Sequence, residues 1–257
     1  MKNVMKELLI QPKPKSDFDA EGLAEKIMTG YVKNKETSKH MKKKSFAPSS
    51  LVYGNGACPR YWYIAFEGAT FDSEREPTAV ANMENGTLSH GRIQEAMKNA
   101  GVLAEAEVKL DVADPPIRGF MDALIEYKKQ QIPGEIKTMR EESFQYRKVA
   151  NAGAKYHIEQ LLIYMKILSK KRGVLIYESK NTHELLIIPV DMTEEYEEWV
   201  DELWEWMRTV RKAWEDKTLP QKPYRSNSKV CKTCPVQKTC SELPKGELKI
   251  NPKRALD

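Results

Sequence analysis

No stretch of the sequence approaches 18 consecutive apolar residues, so nothing in it reads as a membrane-spanning helix. The first 30 residues carry lysines and acids throughout and lack the apolar core of an export signal. Cysteine is scarce, four in 257 residues. Without an export route those four are expected as thiols or metal ligands, not as disulfides, and a cytoplasmic location goes with that reading. Internal repeats and low-complexity segments are absent, which excludes solenoid architectures. What remains, 40% hydrophobic and 31% charged residues, is the composition of a globular chain, long enough for one large domain or two small ones.

The net charge of +5 conceals larger local imbalances. Residues 33–44 hold six lysines against one glutamate, and the chain beyond residue 216 holds ten bases against three acids. Between them, residues 191–216 reverse the sign with ten acids and three bases. The two basic blocks are expected either to share a surface for a polyanion or to be solvated charge runs.

Periodicity gives a coarse element order. Residues 17–30 read as a short amphipathic helix with Leu23, Ile27 and Met28 on its apolar side, and Ala79–Ala100 as a second helix that Gly101 stops. Gly86 inside that helix hints at a close backbone approach. Three strand-like runs follow, Val102–Val112, Ile117–Tyr127 and Gln131–Met139. A helix over Ala154–Ser169 comes next, then a hairpin of Val174–Glu178 and Glu184–Val190. Thr193–Asp216 is the clearest helix: Trp199, Leu203, Trp206, Val210 and Trp214 make one apolar stripe, read as core and not as a base-stacking platform. The order predicts an α/β sheet protein.

The chemically informative residues lie on the strand runs. Glu135 and Lys137 alternate onto one face of a strand while Ile136 points into the core. If the strand carrying Arg118-Gly119-Phe120-Met121-Asp122 is its neighbour, Asp122 and Glu135 converge, and two carboxylates that close call for a hard cation, Mg²⁺ or Mn²⁺. Glu-x-Lys alone is equally an exposed ion pair on an edge strand. Gln160 and Tyr164, four apart, share one helix face.

Taken in order, Gly86-Thr87-Leu88-Ser89-His90 with Gln94, Gly119-x-x-Asp122, Glu135-Ile136-Lys137 and Gln160-x-x-x-Tyr164 resemble the PD-(D/E)XK nuclease superfamily, in its RecB-like branch. The resemblance runs from about residue 46 to residue 240. It implies a restriction-endonuclease-like core, a central mixed β-sheet flanked by helices, over residues 46–240; outside the resemblance, residues 1–45 read as a basic helical extension and 241–257 as a tail. It also implies roles. His90, Asp122, Glu135 and the main-chain carbonyl of Ile136 would hold Mg²⁺ or Mn²⁺, which activates a water and polarises the scissile phosphate. Lys137 would position that water and offset charge in the transition state. Gln160 and Tyr164 would touch DNA.

Cys231-x2-Cys234-x5-Cys240 lies 173 positions after a lone Cys58, which heads Cys58-Pro59-Arg60-Tyr61-Trp62-Tyr63. Four thiolates suit either Zn²⁺ or an iron–sulfur cluster. The spacing resembles the iron–sulfur subset of RecB-like nucleases, AddB-type subunits and CRISPR spacer-acquisition nucleases among them, and so implies a [4Fe–4S] cluster with zinc as the alternative. Arg60 beside Tyr61 and Tyr63 is expected either in a single-strand DNA channel or in packing around the cluster. His157, three residues before Gln160, is a lesser candidate for DNA contact. The expected function is a metal-dependent exonuclease acting on DNA ends, single strands preferred. The alternative is a nucleic-acid-binding subunit of a recombination or CRISPR-adaptation complex whose nuclease site is vestigial.

Overall fold

In a computed structural model, residues 17–33, 35, 37–72 and 75–256 are described. Among them a five-stranded sheet runs through the centre in the order β3 (Leu103–Val112), β4 (Ile117–Tyr127), β5 (Gln130–Met139), β6 (Arg172–Ser179), β7 (Leu185–Asp191). β3, β4 and β5 form an antiparallel meander, β5 and β6 are parallel, and β6 and β7 close as an antiparallel hairpin. The parallel pair requires a crossover, supplied by helices over Glu141–Ala150 and Lys155–Ile167. A separate two-stranded ribbon pairs β1 (Ser38–Met41) with β2 (Ala69–Asp72).

Both faces of the sheet are covered, as a sheet with a parallel pair demands. We number the helices α1 (Ala20–Gly30), α2 (Pro48–Leu51), α3 (Pro59–Glu67), α4 (Pro77–Asn99), α5 (Glu141–Ala150), α6 (Lys155–Ile167), α7 (Glu194–Glu215), α8 (Lys229–Lys232) and α9 (Gln237–Glu242). On one face the main core joins Trp62, Phe66, Leu161, Tyr164, Tyr177, Trp199 and their neighbours from α3, α6 and α7. On the other, Ile93 of α4 packs with Ala123, Ile125, Ile132, Ile136, Val174 and Ile176 in a smaller cluster.

Local sequence explains the element ends. Pro59 and Pro77 open α3 and α4, where a missing N–H costs nothing. Gly68, at φ 103°, ends α3 in a conformation that favours glycine. The Thr193 hydroxyl caps α7 by accepting from Tyr196 N–H, and Glu194, Glu195 and Glu197 sit on the positive end of its dipole. The tryptophan stripe is core on this helix: Trp199, Leu203 and Val210 are buried, while Trp206 and Trp214 pack at the margin.

Two readings change. Gly86 serves no close approach, for a methyl group there would meet nothing within 4 Å. The apolar side of α1 covers no core, since Leu23 and Ile27 stay exposed. The last residues are built into the molecule: Ile250 and Leu256 join the main core, Trp206 Nε1 donates to the Asn251 carbonyl, and Lys253 makes a buried ion pair with Glu159.

Candidate active site

The site forms where β4 and β5 part. Their ladder runs from Tyr127↔Gln130 to Ala123↔Gly134, while β5 continues beside β6 as far as Met139↔Ser179. At the fork a side chain replaces the ladder: Ile136 N–H donates to Asp122 Oδ2 at 2.7 Å. Asp122, Glu135 and Lys137 therefore gather at the opening, as the alternation of the strands predicted. The helix α4 supplies His90, whose Nδ1 is 3.5 Å from Asp122 Oδ1, and Gln94, whose Nε2 donates to the Asp122 carbonyl at 2.8 Å. One turn apart on α4, the two residues reach the same strand position.

Glu135 has no exposed surface, and its carboxylate pairs with the Lys137 ammonium through Oε1. Its other oxygen, Oε2, is buried without a hydrogen-bond partner, as is Gln160 Oε1. Burial pushes the Glu135 carboxyl up to about 7, against the pull of Lys137. Lys137 is itself raised: burial acts to lower it and is outweighed by the Glu135 and Asp122 carboxylates. His90 is raised in the same way, the hydrogen bond and charge of Asp122 overcoming burial.

Gln160 and Tyr164 do share one face of α6, and that face looks at the site: Gln160 Nε2 donates to Tyr164 OH at 2.6 Å, and Tyr164 OH to the Phe120 carbonyl at 3.2 Å. Both are almost wholly buried in the DNA-free molecule. They hold α6 against β4 two residues from Asp122. Of the two expectations for Arg60, its place is that of packing around the cysteines: it is fully buried, and its guanidinium donates to the carbonyls of Pro220, Pro244 and Lys245 and to Cys240 Sγ. His157 is buried as well, with Nδ1 2.9 Å from Tyr177 OH, and burial lowers it to about 3.

All four cysteines border one cavity of about 70 Å³, together with Tyr61, Tyr224 and Val236. Burial pushes two of the thiols up, Cys58 to about 12 and Cys234 to about 11. As they stand, no group of three or more His, Cys, Asp or Glu side chains among the described residues is arranged to hold a metal ion. The reason is visible in their partners. Asp122 is turned to Ile136 N–H, Glu135 to Lys137, and Cys240 accepts from Arg60 Nε at 3.3 Å. The donor sets nonetheless suit the two groups: an orphaned carboxylate oxygen beside a second carboxylate and an imidazole for a hard divalent ion, and four thiols on one cavity for a soft site.

The family model of the PD-(D/E)XK nuclease superfamily matches residues 71–241, well over half of the chain. The chain belongs to that superfamily. Asp122, Glu135 and Lys137 at the fork lie within the matched residues. No curated protein matches. Among solved structures, the crystal structure of SSO0001 is 19% identical over 78% of this chain and 86% of its own, with a TM-score of 0.41. The alkaline exonuclease LHK-Exo from Laribacter hongkongensis is 12% identical over 67% of this chain and 87% of its own, with a TM-score of 0.45.

Sequence reasoning missed two features around the fork. Arg92 of α4 donates to both oxygens of the buried Glu178 of β6, at 2.6 and 2.8 Å, and so pins the helix that carries His90. Tyr53 and Tyr156 stand exposed beside the fork. For Tyr156 a signal existed: Tyr156, Gln160 and Tyr164 follow at intervals of four, one continuous helix face.

Proposed function

We propose that this chain is a metal-dependent deoxyribonuclease of the RecB-like branch, an exonuclease that hydrolyses DNA from ends and prefers single strands. The observation that carries the reading is the gathering of His90, Asp122, Glu135 and Lys137 at the one point where β4 and β5 separate. His90, Asp122, Glu135 and the Ile136 carbonyl would hold Mg²⁺ or Mn²⁺. Such an ion supplies Lewis acidity toward a phosphate oxygen and toward a water. Lys137, kept protonated by its carboxylate neighbours, offsets charge on the phosphate and orients the attacking water. Glu135 fixes that ammonium, and Asp122, tied to the Ile136 amide, fixes the width of the fork. Gln160 and Tyr164 act as positioning residues behind it. The four cysteines would hold a [4Fe–4S] cluster, with Zn²⁺ as the alternative occupant.

End-labelled single-stranded and duplex DNA, incubated with anaerobically purified protein and Mn²⁺ or Mg²⁺, tests the reading. Wild type should shorten DNA from one end. Glu135→Ala and Lys137→Ala should each lose on the order of 10²–10³-fold in rate. Equal cutting by the variants, or DNA binding without cutting by wild type, would replace the nuclease with a binding subunit. Iron and zinc content of the same preparation separates the two occupants of the cysteine cavity.

A further inference from the structure

Beside the fork lies an aromatic pair that the chemistry above does not use. Tyr53, between α2 and the turn at Gly54–Ala57, and Tyr156, in the first turn of α6, have ring centroids 5.0 Å apart with planes inclined by 48°. Both rings are partly exposed, 44% and 41%. Leu51, two residues before Tyr53, and His157, next to Tyr156, are buried. The rings do not fill a gap in the core, for each has the core at its back and water at its front.

Their place is set by the residues of the fork. Tyr177 is the lateral partner of Lys137 in the β5–β6 ladder. Its hydroxyl accepts from Ala154 N–H at 3.0 Å, at the start of α6, and meets His157 Nδ1 at 2.9 Å. The His157 ring in turn supports Tyr156, edge to face with centroids 4.3 Å apart. Tyr156 is one helical turn, about 6 Å of rise, from Gln160, whose side chain reaches the Glu135–Tyr164 wall. On the other flank, the Pro48 ring of α2 occupies the space beside Gly119, three residues before Asp122, where a Cβ would come within 3.0 Å of it. The negative field of Glu135 reaches the Tyr53 hydroxyl, which is held above its ordinary range by burial first, then Tyr156 and Glu135.

We infer that Tyr53 and Tyr156 form a stacking platform for one unpaired nucleobase of the strand whose phosphodiester lies at Asp122, Glu135 and Lys137. The inference deepens the nuclease reading and rests on it. Aromatic faces bind any base and require that it be unstacked from a duplex. A platform at this position therefore selects single strands or frayed ends without reading sequence. Fixed rings on a buried histidine and a short helix lose little freedom on binding, which suits them to this work.

The test uses full-length Glu135→Gln protein, so that strands are bound and not consumed, and single-stranded oligonucleotides carrying 2-aminopurine at successive positions. Quenching should peak at one position. Tyr53→Leu and Tyr156→Leu should abolish that quenching and weaken binding on the order of 10-fold each, whereas Tyr53→Phe and Tyr156→Phe keep both. An abasic nucleotide at the quenched position should weaken binding to the tyrosine protein and leave the leucine variants unaffected. Quenching that survives in folded leucine variants, or an abasic penalty that adds in full to theirs, overturns the platform while leaving the nuclease reading intact. Absence of oligonucleotide binding by the tyrosine protein overturns both.

Discussion

His157 shows that a side chain can lie near a site and still face away from it. Its position three residues before Gln160 puts it near the site, but it faces inward onto Tyr177 OH, and burial holds it near a pKa of about 3 against an ordinary 6.5. A folded-state pKa below the unfolded one contributes stability above pH 6.5 that is lost as pH falls toward 3. Up to about 1.4 kcal/mol should go with each pH unit in that window. His157→Asn should flatten the acid limb of a plot of Tm against pH from 7 to 4, measured by calorimetry. Glu135, raised to about 7, has the opposite sign, with stability present below its unfolded pKa and lost as pH rises through about 7. The paired comparison at position 157 isolates the histidine from it. The motif residues were legible for simple reasons. Alternation of two fixes Glu135 with Lys137, and intervals of four fix Gln160 with Tyr164. Burial was not legible, because the fate of the Arg60 guanidinium depends on carbonyls that arrive 160 to 185 positions later.

Among elements, the strand runs were read within a residue or two at most ends, since each is bounded by a turn, a glycine or a proline. α3 was not read as a helix. Its residues Arg60-Tyr61-Trp62-Tyr63 are buried on every side, so no polar face marks the helical period. α6 is the element on which the site depends most, and it is held from behind. Glu159 accepts from Lys253 Nζ at 2.8 Å and from Leu256 N–H at 2.9 Å, with both side chains of the ion pair about 5% exposed. Lys253→Met leaves a buried carboxylate unpaired and should cost about 3–5 kcal/mol. For a chain of this size that corresponds to a drop in Tm of roughly 6–20 °C. Adding Glu159→Gln, which still accepts from Leu256 N–H, should restore most of it, and a thermal melt of both variants decides the point.

At the scale of the molecule, the charge blocks are put to mixed use. Lys43 of the N-terminal block lies over the rings of Trp62 and Phe71 and is lowered by burial, and Lys42 lies over Trp214. Part of that block therefore covers aromatic surface, a use that a count of lysines does not reveal. The cysteine cavity joins the start of α3 to the α8–α9 segment, and Asp72 N–H donates to the Pro235 carbonyl at 2.8 Å beside it. With Cys58 held up to about 12 and Cys234 to about 11 by burial, these thiols are protonated at neutral pH. Loading the cavity with a metal must release their protons. Titration of metal-free, reduced protein with Zn²⁺ in two buffers of different ionisation enthalpy should reveal more than one proton released per ion, and Cys58→Ser should reduce that number.

The Glu159–Lys253 pair also sets a timetable for synthesis. Its partners are 94 residues apart, a distance that a ribosome adding 5–20 residues per second takes roughly 5–20 s to cover. β3, β4 and β5 are made before that interval and β6 and β7 within it, yet the carboxylate next to Gln160 has no counter-charge throughout. The fork can be drawn early but α6 cannot be locked behind it until Lys253 arrives. A messenger cut or stopped short of that codon would yield chains with all the proposed metal ligands of the fork and an unsecured helix beside them.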